Sequence, residues 1–354
     1  MDPIASRLSN QRLLKNTLKN THEVVSLFGA VQAQDYAMAK WSLAKRAGGA
    51  TEESVEKDFN DGKILRTHVM RPTWHFVAPE DILWIQELTS DRVKALLAYY
   101  NRRVELTPEL LKKTNSLLIK SLENKNFLTR GEIKKILDGV GITTDVQRLA
   151  HIVMWAELDG LICSGPRRGK NFTYALVSDR APSTKRFSKD ESLAKLALKY
   201  FTSHGPAQLK DFVWWSGLTT RDAQTALDSI KSKLEILTLD SKTYYSTRDL
   251  PTPKTQPLTP LLLSVYDEYF IGYTDRSLIY EKNDSFPAIG NALLTCLVFL
   301  DGRVVGKWKR VIKPKHVEIK IDLTANINKA QKEAIEQEAE KFANFIDLPA
   351  KIIF

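Results

Sequence analysis

The chain has 354 residues, 43% hydrophobic and 27% charged, the balance of a folded globular protein; its length exceeds what one core usually serves, so two or three modules are expected. Lys+Arg 52 against Asp+Glu 42 gives a net charge of +10 and a pI near 9.3, which favours a polyanionic partner and says nothing of fold. Two widely separated cysteines, Cys163 and Cys296, exclude a disulfide scaffold or zinc framework, and no apolar run approaches the ~18 residues of a spanning helix. Both cysteines sit in apolar contexts and read as small core residues. The opening MDPIASRLSNQRL lacks the apolar stretch of an export signal, so the expected setting is cytoplasmic, away from membranes.

Residues 1–125 read mainly helical, with Leu13, Leu14 and Leu18 at helical spacing. The most informative stretch follows at Val31-Gln32-Ala33-Gln34-Asp35. In an extended segment the two carboxamides share one face and Val31 and Ala33 the other, whereas in a helix positions two apart diverge. Asp35 is then placed to N-cap a helix that runs to about Arg46. Two amides on one face suit a cleft in which they hold something; the plain alternative is a solvated pair in a helix connection. Thr51, followed by Glu52 and Glu53, opens another helix. Residues 63–77 switch to two short strands with a tight connection near Arg71-Pro72, and helix returns at Pro79-Glu80-Asp81. Helices closed by a hairpin are the pattern of a winged helix.

The pattern recurs. Thr129-Arg130-Gly131-Glu132 is a capping box opening a short helix to Leu137, and Val146–Leu158 forms a second helix, ended by Gly160. Residues 161–177 are a hairpin with a basic, glycine-punctuated tip at 165–170. A third copy has a helix from Leu193 to Phe201, another starting at Gly205-Pro206-Ala207-Gln208 and broken by Gly217, and a third capped by Thr219 or Thr220 with Ala223, Leu227 and Ile230 aligned. Its wing is residues 234–239 and 243–246. Residues 249–257, with three prolines, read as a linker. Beyond it, residues 261–266, 292–300, 304–311 and 317–321 are strand-like, Asp301-Gly302 is a strong hairpin signal, a helix spans Lys329 to Phe345, and the final residues 351–354 suit an edge strand. The expected architecture is α+β: three tandem winged-helix modules followed by a small β-rich C-terminal module with one packed helix. The boundaries are 1–125 for the module carrying Gln-Ala-Gln, 126–182, 183–250, and 258–354.

Tandem winged helices with excess positive charge make nucleic acid the leading partner. Arg167, Arg168 and Lys170 at a wing tip are suited to phosphates; a solvated hairpin tip is the alternative. Trp214-Trp215 would stack on bases, but between Phe212 and Leu218 they read first as core. There is no phosphate loop, no HExxH and no nucleophile elbow, and the six histidines lack metal-ligand spacing. Chemistry must then come from amides and acids. A glutamine amide does not titrate usefully, so it is no general base, but it can accept from and donate to a water. Two on one face would orient a water or lend carbonyl dipoles to a developing cation. That suffices only for an activated leaving group, such as an N-alkylated purine already carrying positive charge.

Residues 27–35 (LFGAVQAQD) with Trp41-Ser-Leu resemble the glutamine motif of the AlkZ/YcaQ-type bacterial winged-helix DNA glycosylases. So do residues 70–77 (MRPTWHFV), 205–207 (GPA) with 214–217 (WWSG), 266–273 (YDEYFIGY) and 301–306 (DGRVVG), in the same order and spanning nearly the whole chain. The resemblance implies three tandem winged helices and a β-rich module around a concave DNA channel, and excision of N-alkylated bases, with unhooking of interstrand crosslinks in some members. Carried over by position, the family's catalytic Gln, aliphatic, Gln motif falls on Gln32 and Gln34, with Ala33 a minimal aliphatic between them. Arg71 and His75, in the second matched segment, join Arg167, Arg168 and Lys170 as expected DNA contacts. The expected protein is a monofunctional glycosylase acting on double-stranded, alkylated DNA, monomeric, with no metal and no cofactor. The alternative is a non-catalytic winged-helix DNA-binding protein or transcriptional regulator, for which no obvious dimer helix appears.

Overall fold

The computed structural model describes residues 2–15, 17–247, 258–280 and 292–354; the proline-rich stretch 249–257 lies outside them. The first helix, α1 (Pro3–Asn10), starts where Asp2 accepts from Ile4 N with proline in the first turn. It stops at Gln11 because Arg12 takes φ 60°, a left-handed conformation that cannot continue a right-handed helix. Leu13, Leu14 and Leu18, expected on a helix, therefore lie in irregular chain, with Leu13 buried and Leu18 bridging to Ala47.

One order of elements then appears three times. The first unit is α2 (Thr21–Phe28), β1 (Val31–Gln32), α3 (Tyr36–Ala44), α4 (Glu52–Asn60), β2 (Leu65–His68) and β3 (Trp74–Val77), with sheet order β1-β3-β2. After the long α5 (Ile82–Arg103) comes the second: α6 (Pro108–Leu122), β4 (Leu128–Thr129), α7 (Arg130–Gly139), α8 (Val146–Leu158), β5 (Ile162–Ser164) and β6 (Thr173–Leu176), in order β4-β6-β5. A short α9 (Val177–Arg180) leads to the third: α10 (Lys189–Ser203), α11 (Leu209–Ser216), α12 (Thr220–Ile230), β7 (Leu234–Leu239) and β8 (Lys242–Thr247). There the segment between the first two helices contributes a single bridge, Ala207 to Tyr245 of β8. In each unit the chain between the first and second helices pairs with the last strand of the hairpin.

The remainder is β9 (Pro260–Leu262), α13 (Glu268–Ile271), β10 (Cys296–Leu300), β11 (Arg303–Ile312), β12 (Val317–Leu323), α14 (Lys329–Phe345) and β13 (Ala350–Ile353). Its five strands run β13-β12-β11-β10-β9, antiparallel except for β13, which pairs parallel to β12 at the edge. Asp301 and Gly302 both take left-handed φ, 51° and 78°, as the two-residue turn between β10 and β11 requires.

The cores cut across these units. One cluster joins Val24, Phe28, Trp41 and Phe76 of the first unit to Val298, Trp308, Ile319 and Phe342 of the C-terminal sheet and helix. A second joins Leu65, Val77 and Trp84 to Tyr200, Phe212, Trp215 and Leu227 of the third. A third gathers Leu111, Leu118 and Leu122 of α6 with Ile133, Leu149, Ile152 and Tyr174. Helix α6 thus packs with the second unit, upstream of the boundary expected at residue 125. The reason is its apolar stripe, which meets α8 and β6 rather than the first sheet. The result is a mixed α+β protein in which, among the described residues, no helix is long and apolar enough to cross a membrane.

Candidate active site

Strand β1 is two residues long and held at the edge of the first sheet, with Val31 opposite Phe76 and Gln32 opposite His75. The extended backbone continues to Ala33, whose N–H donates to the Trp74 carbonyl at 2.7 Å. Period-two alternation follows: Val31 and Ala33 point into the first core, and Gln32 and Gln34 to the other side. The amides are unequal. Gln34 is exposed, whereas Gln32 keeps only 8% of its surface.

Both amide oxygens are tethered. Arg71 Nη2 donates to Gln32 Oε1 at 2.9 Å, and the Trp74 backbone N–H donates to Gln34 Oε1 at 3.2 Å. A guanidinium only donates, so it fixes which end of the Gln32 amide is the carbonyl. Each carbonyl oxygen retains a second lone pair, and among the described residues neither side-chain nitrogen has a hydrogen-bond acceptor. Arg71 comes from the β2–β3 connection, where Met70 takes φ 62°. Its guanidinium also lies 3.5 Å from His75 Nε2, while His75 Nδ1 lies 2.9 Å from the Thr73 carbonyl. Burial, and then Arg71, hold the His75 pKa well below the ordinary imidazole value. His75, expected to touch DNA, is fully enclosed and neutral, so direct contact with a duplex is closed to it here. Arg71, expected to contact DNA, is turned onto Gln32.

Beneath Gln32 lies a buried carboxylate that the sequence did not single out. Glu268 Oε1 accepts from Gln32 N at 2.8 Å; Oε2 accepts from Trp215 Nε1 at 2.9 Å and stands 3.3 Å from His204 Nε2. Beside it, Asp267 accepts two Arg46 hydrogen bonds, at 2.7 and 2.9 Å, and one from Ser42 at 2.7 Å. Arg46 keeps the Asp267 carboxyl low in spite of burial. The signal available was two adjacent acids inside the apolar segment 261–273, where buried charge demands partners. Of the tryptophan pair, Trp215 is core, as expected, while Trp214 remains 43% exposed with its N–H on the Ile271 carbonyl and Arg276 over its ring.

Gln34 opens on a groove of about 780 Å³ lined by Asp35, Tyr36, Arg66, Arg167, Tyr266 and Arg310. Asp35 caps α3, accepting from Met38 N at 3.0 Å. Three arginines give the groove a positive wall. The wing-tip cations divide: Arg167 lines the groove, stacked on Phe172 and Tyr36 and bonded to the Lys170 carbonyl at 2.6 Å. Arg168 instead pairs with Glu132 at 2.7 Å and with the Phe127 carbonyl, and Lys170 is exposed at the tip. The structure therefore gathers Gln32, Gln34, Arg71 and His75 in one cluster, with Arg167 across the groove and Arg168 and Lys170 outside it.

Repeated helix–strand–helix–helix–hairpin units, with one of two tethered amides, Gln34, at the edge of an arginine-walled groove, define an α+β protein suited to a polyanionic chain. A family profile described as DNA glycosylase AlkZ-like matches residues 25–345, and the chain belongs to that family. It is an enzyme, a hydrolase of N-glycosyl bonds, and DNA is its substrate. It is similar to the Interstrand DNA cross-link repair glycosylase of Streptomyces sahachiroi, 24% identical over 389 residues covering 99% of this chain and 98% of that one. The solved structure of Streptomyces sahachiroi DNA glycosylase AlkZ shares its fold, with a TM-score of 0.79 at 21% identity over 99% and 98% of the two chains.

Proposed function

We propose that this glycosylase removes cationic N-alkylated purines from double-stranded DNA, with interstrand crosslinks among its substrates, by orienting water with Gln32 and Gln34. In the reaction the C1′–N bond breaks with both electrons passing to the purine, whose positive charge is thereby neutralised. Water forms the C1′–O bond and releases its proton to solvent. The observation that carries the reading is the tethering of both amide oxygens, by Arg71 and by Trp74 N–H, with Gln34 lining the groove and Gln32 buried two residues behind it. A tethered carbonyl keeps one lone pair in a fixed direction for a water proton or for positive charge developing on the sugar. Neither amide supplies a proton, so the leaving group must be activated beforehand. Crosslinked substrates are supported by the likeness to the Streptomyces sahachiroi Interstrand DNA cross-link repair glycosylase and by a groove that is largely open to solvent.

On this reading the three repeated units are winged helices, with residues 258–354 a β-rich module closing the groove opposite Gln34; the common strand pairing in all three supports it. Arg167 and Arg310 contact the DNA backbone from the groove walls. The test is to incubate the protein with duplex carrying N7-methylguanine or a nitrogen-mustard crosslink and assay alkali-labile abasic sites. Release by wild type and its loss in the Gln32→Ala/Gln34→Ala double variant is the expected result. No release, or undiminished release by the double variant, rules the assignment out.

A further inference from the structure

A second cavity, of about 470 Å³, adjoins the groove and shares Arg66 and Phe172 with it. Arg66 is 7% exposed and, among the described residues, no carboxylate forms an ion pair with it. Its Nε donates to the Ala33 carbonyl at 3.0 Å, and its guanidinium is stacked 4.2 Å from the Trp74 ring centre and 4.9 Å from that of Phe172. Among the described residues its two terminal nitrogens have no hydrogen-bond partner, and they are not sealed from solvent, so they are accessible where Arg66 lines this cavity and the adjoining groove. Arg7 makes the contrast. Its terminal nitrogens also lack partners, but they are sealed against the Tyr273 ring. The buried carboxyl of Glu157 acts on Arg66 only from beyond ion-pair distance and is bound directly to His68, so the guanidinium has no contacting counter-charge, an arrangement that favours the approach of an anion. Burial lowers Arg66 to about 10, which leaves it charged at neutral pH.

The opposite wall is the start of α7, with Thr129, Arg130 and Gly131 lining the cavity. Thr129 Oγ accepts only the third amide, that of Glu132, so the N–H groups of Arg130 and Gly131 have no intrahelical acceptor. The Glu132 carboxylate is turned back onto Thr129 and Arg168 and does not line the cavity. In front of Gly131 there is open space, with nothing within 4 Å of where a β-carbon would stand.

We propose that this cavity is a phosphate site, in which one backbone phosphodiester of the DNA substrate sits between the Arg66 guanidinium and the first amides of α7. Helix N-termini and arginine forks both favour phosphate oxygens, and here they face each other across one space. Because Arg66 also holds the carbonyl between the two glutamines, a phosphate on its terminal nitrogens fixes the register of DNA relative to the Gln-Ala-Gln strand. The inference rests on DNA being the substrate and is independent of what the glutamines do.

Gly131→Glu tests it with little risk to folding, since the space is open and an acid in the first turn of a helix is favourable. Binding of the full chain to undamaged duplex is measured by fluorescence anisotropy over a salt series, beside Arg66→Gln. Both variants should bind about tenfold more weakly, with the salt slope reduced by about one. A scan of duplexes carrying a single neutral methylphosphonate should find one position that weakens wild type to the same degree and does not weaken Gly131→Glu further. Wild-type affinity and slope in Gly131→Glu, or a methylphosphonate profile identical to wild type, overturns the proposal. Thermal melting checks that both variants are folded; if Arg66→Gln is not, Gly131→Glu and the scan decide alone. Binding, not excision, is read, so failure here leaves the glutamine assignment standing.

Discussion

Removing either glutamine should slow base excision severely, but only one removal should disturb the fold. Gln34 is exposed, and its bond to Trp74 N–H is exchangeable for water. Gln34→Ala should lower the single-turnover rate by about 10²-fold, the scale of a lost orienting or charge-stabilising group, with stability within about 0.5 kcal/mol of wild type. Gln32→Ala strips the half-buried Arg71 guanidinium of its acceptor, which should subtract about 1.5–3 kcal/mol in urea unfolding as well as slowing turnover severely. Equal stability of the two variants would show that the Arg71–Gln32 bond carries no weight. Glu268 is a positioning residue of the same cluster. Glu268→Ala leaves Gln32 N and Trp215 Nε1 without their acceptor and should destabilise by about 3–5 kcal/mol, whereas Glu268→Gln keeps a carbonyl for one of them and should recover part of the loss. A Glu268→Gln variant as unstable as Glu268→Ala would assign the effect to charge alone.

At the level of elements, the start of α3 and the end of α11 hold the glutamine cluster in place. Asp35 is the N-cap of α3 next to Gln34. If capping is its role, Asp35→Asn should keep both stability and excision rate, because asparagine caps as well as aspartate, while Asp35→Ala should cost about 1 kcal/mol. A large rate loss in a stable Asp35→Asn variant would instead make the carboxylate part of the chemistry. Helix α11 ends at Gly217 with φ 68°, where an added β-carbon would collide with the Met70 carbonyl, one residue before Arg71. Much of this scale was legible in the sequence. The capping box at Thr129, the helix from Val146 to Leu158, the Asp301-Gly302 turn and the helix ending at Phe345 all rest on local residue chemistry that the fold does not override. Leu13, Leu14 and Leu18 had the right spacing, but one left-handed residue, Arg12, cancels the pattern. The pairing of Gln32 with Arg71, and of Gln32 N with Glu268 across 236 positions, was not legible, because periodicity carries no information about contacts so distant in sequence.

Over the whole molecule the modules share cores, so their stability and the site's chemistry should answer to pH separately. His75 and His204 are fully buried, and burial is the main reason that both titrate below the ordinary 6.5. The unfolded chain therefore takes up protons as pH falls through about 6.5 that the folded chain refuses. The stability they support is complete above that pH and is lost below it; His75 alone should remove about 1.4 kcal/mol by pH 5.5. The depressed carboxyl of Asp267 acts in the same direction but in a separate window, below about pH 4, where the unfolded carboxyl would protonate first. Urea midpoints should thus fall between pH 7.5 and 5.5, and His75→Gln should flatten that fall. Excision should behave differently. Two amides that do not titrate give no bell-shaped profile, so the single-turnover rate on an N7-methylguanine duplex should stay level from about pH 6.5 to 9 while the protein remains folded. A bell with limbs inside that range would mean that an ionising acid and base share the work, and the pair of glutamines would then be holding the substrate rather than the water.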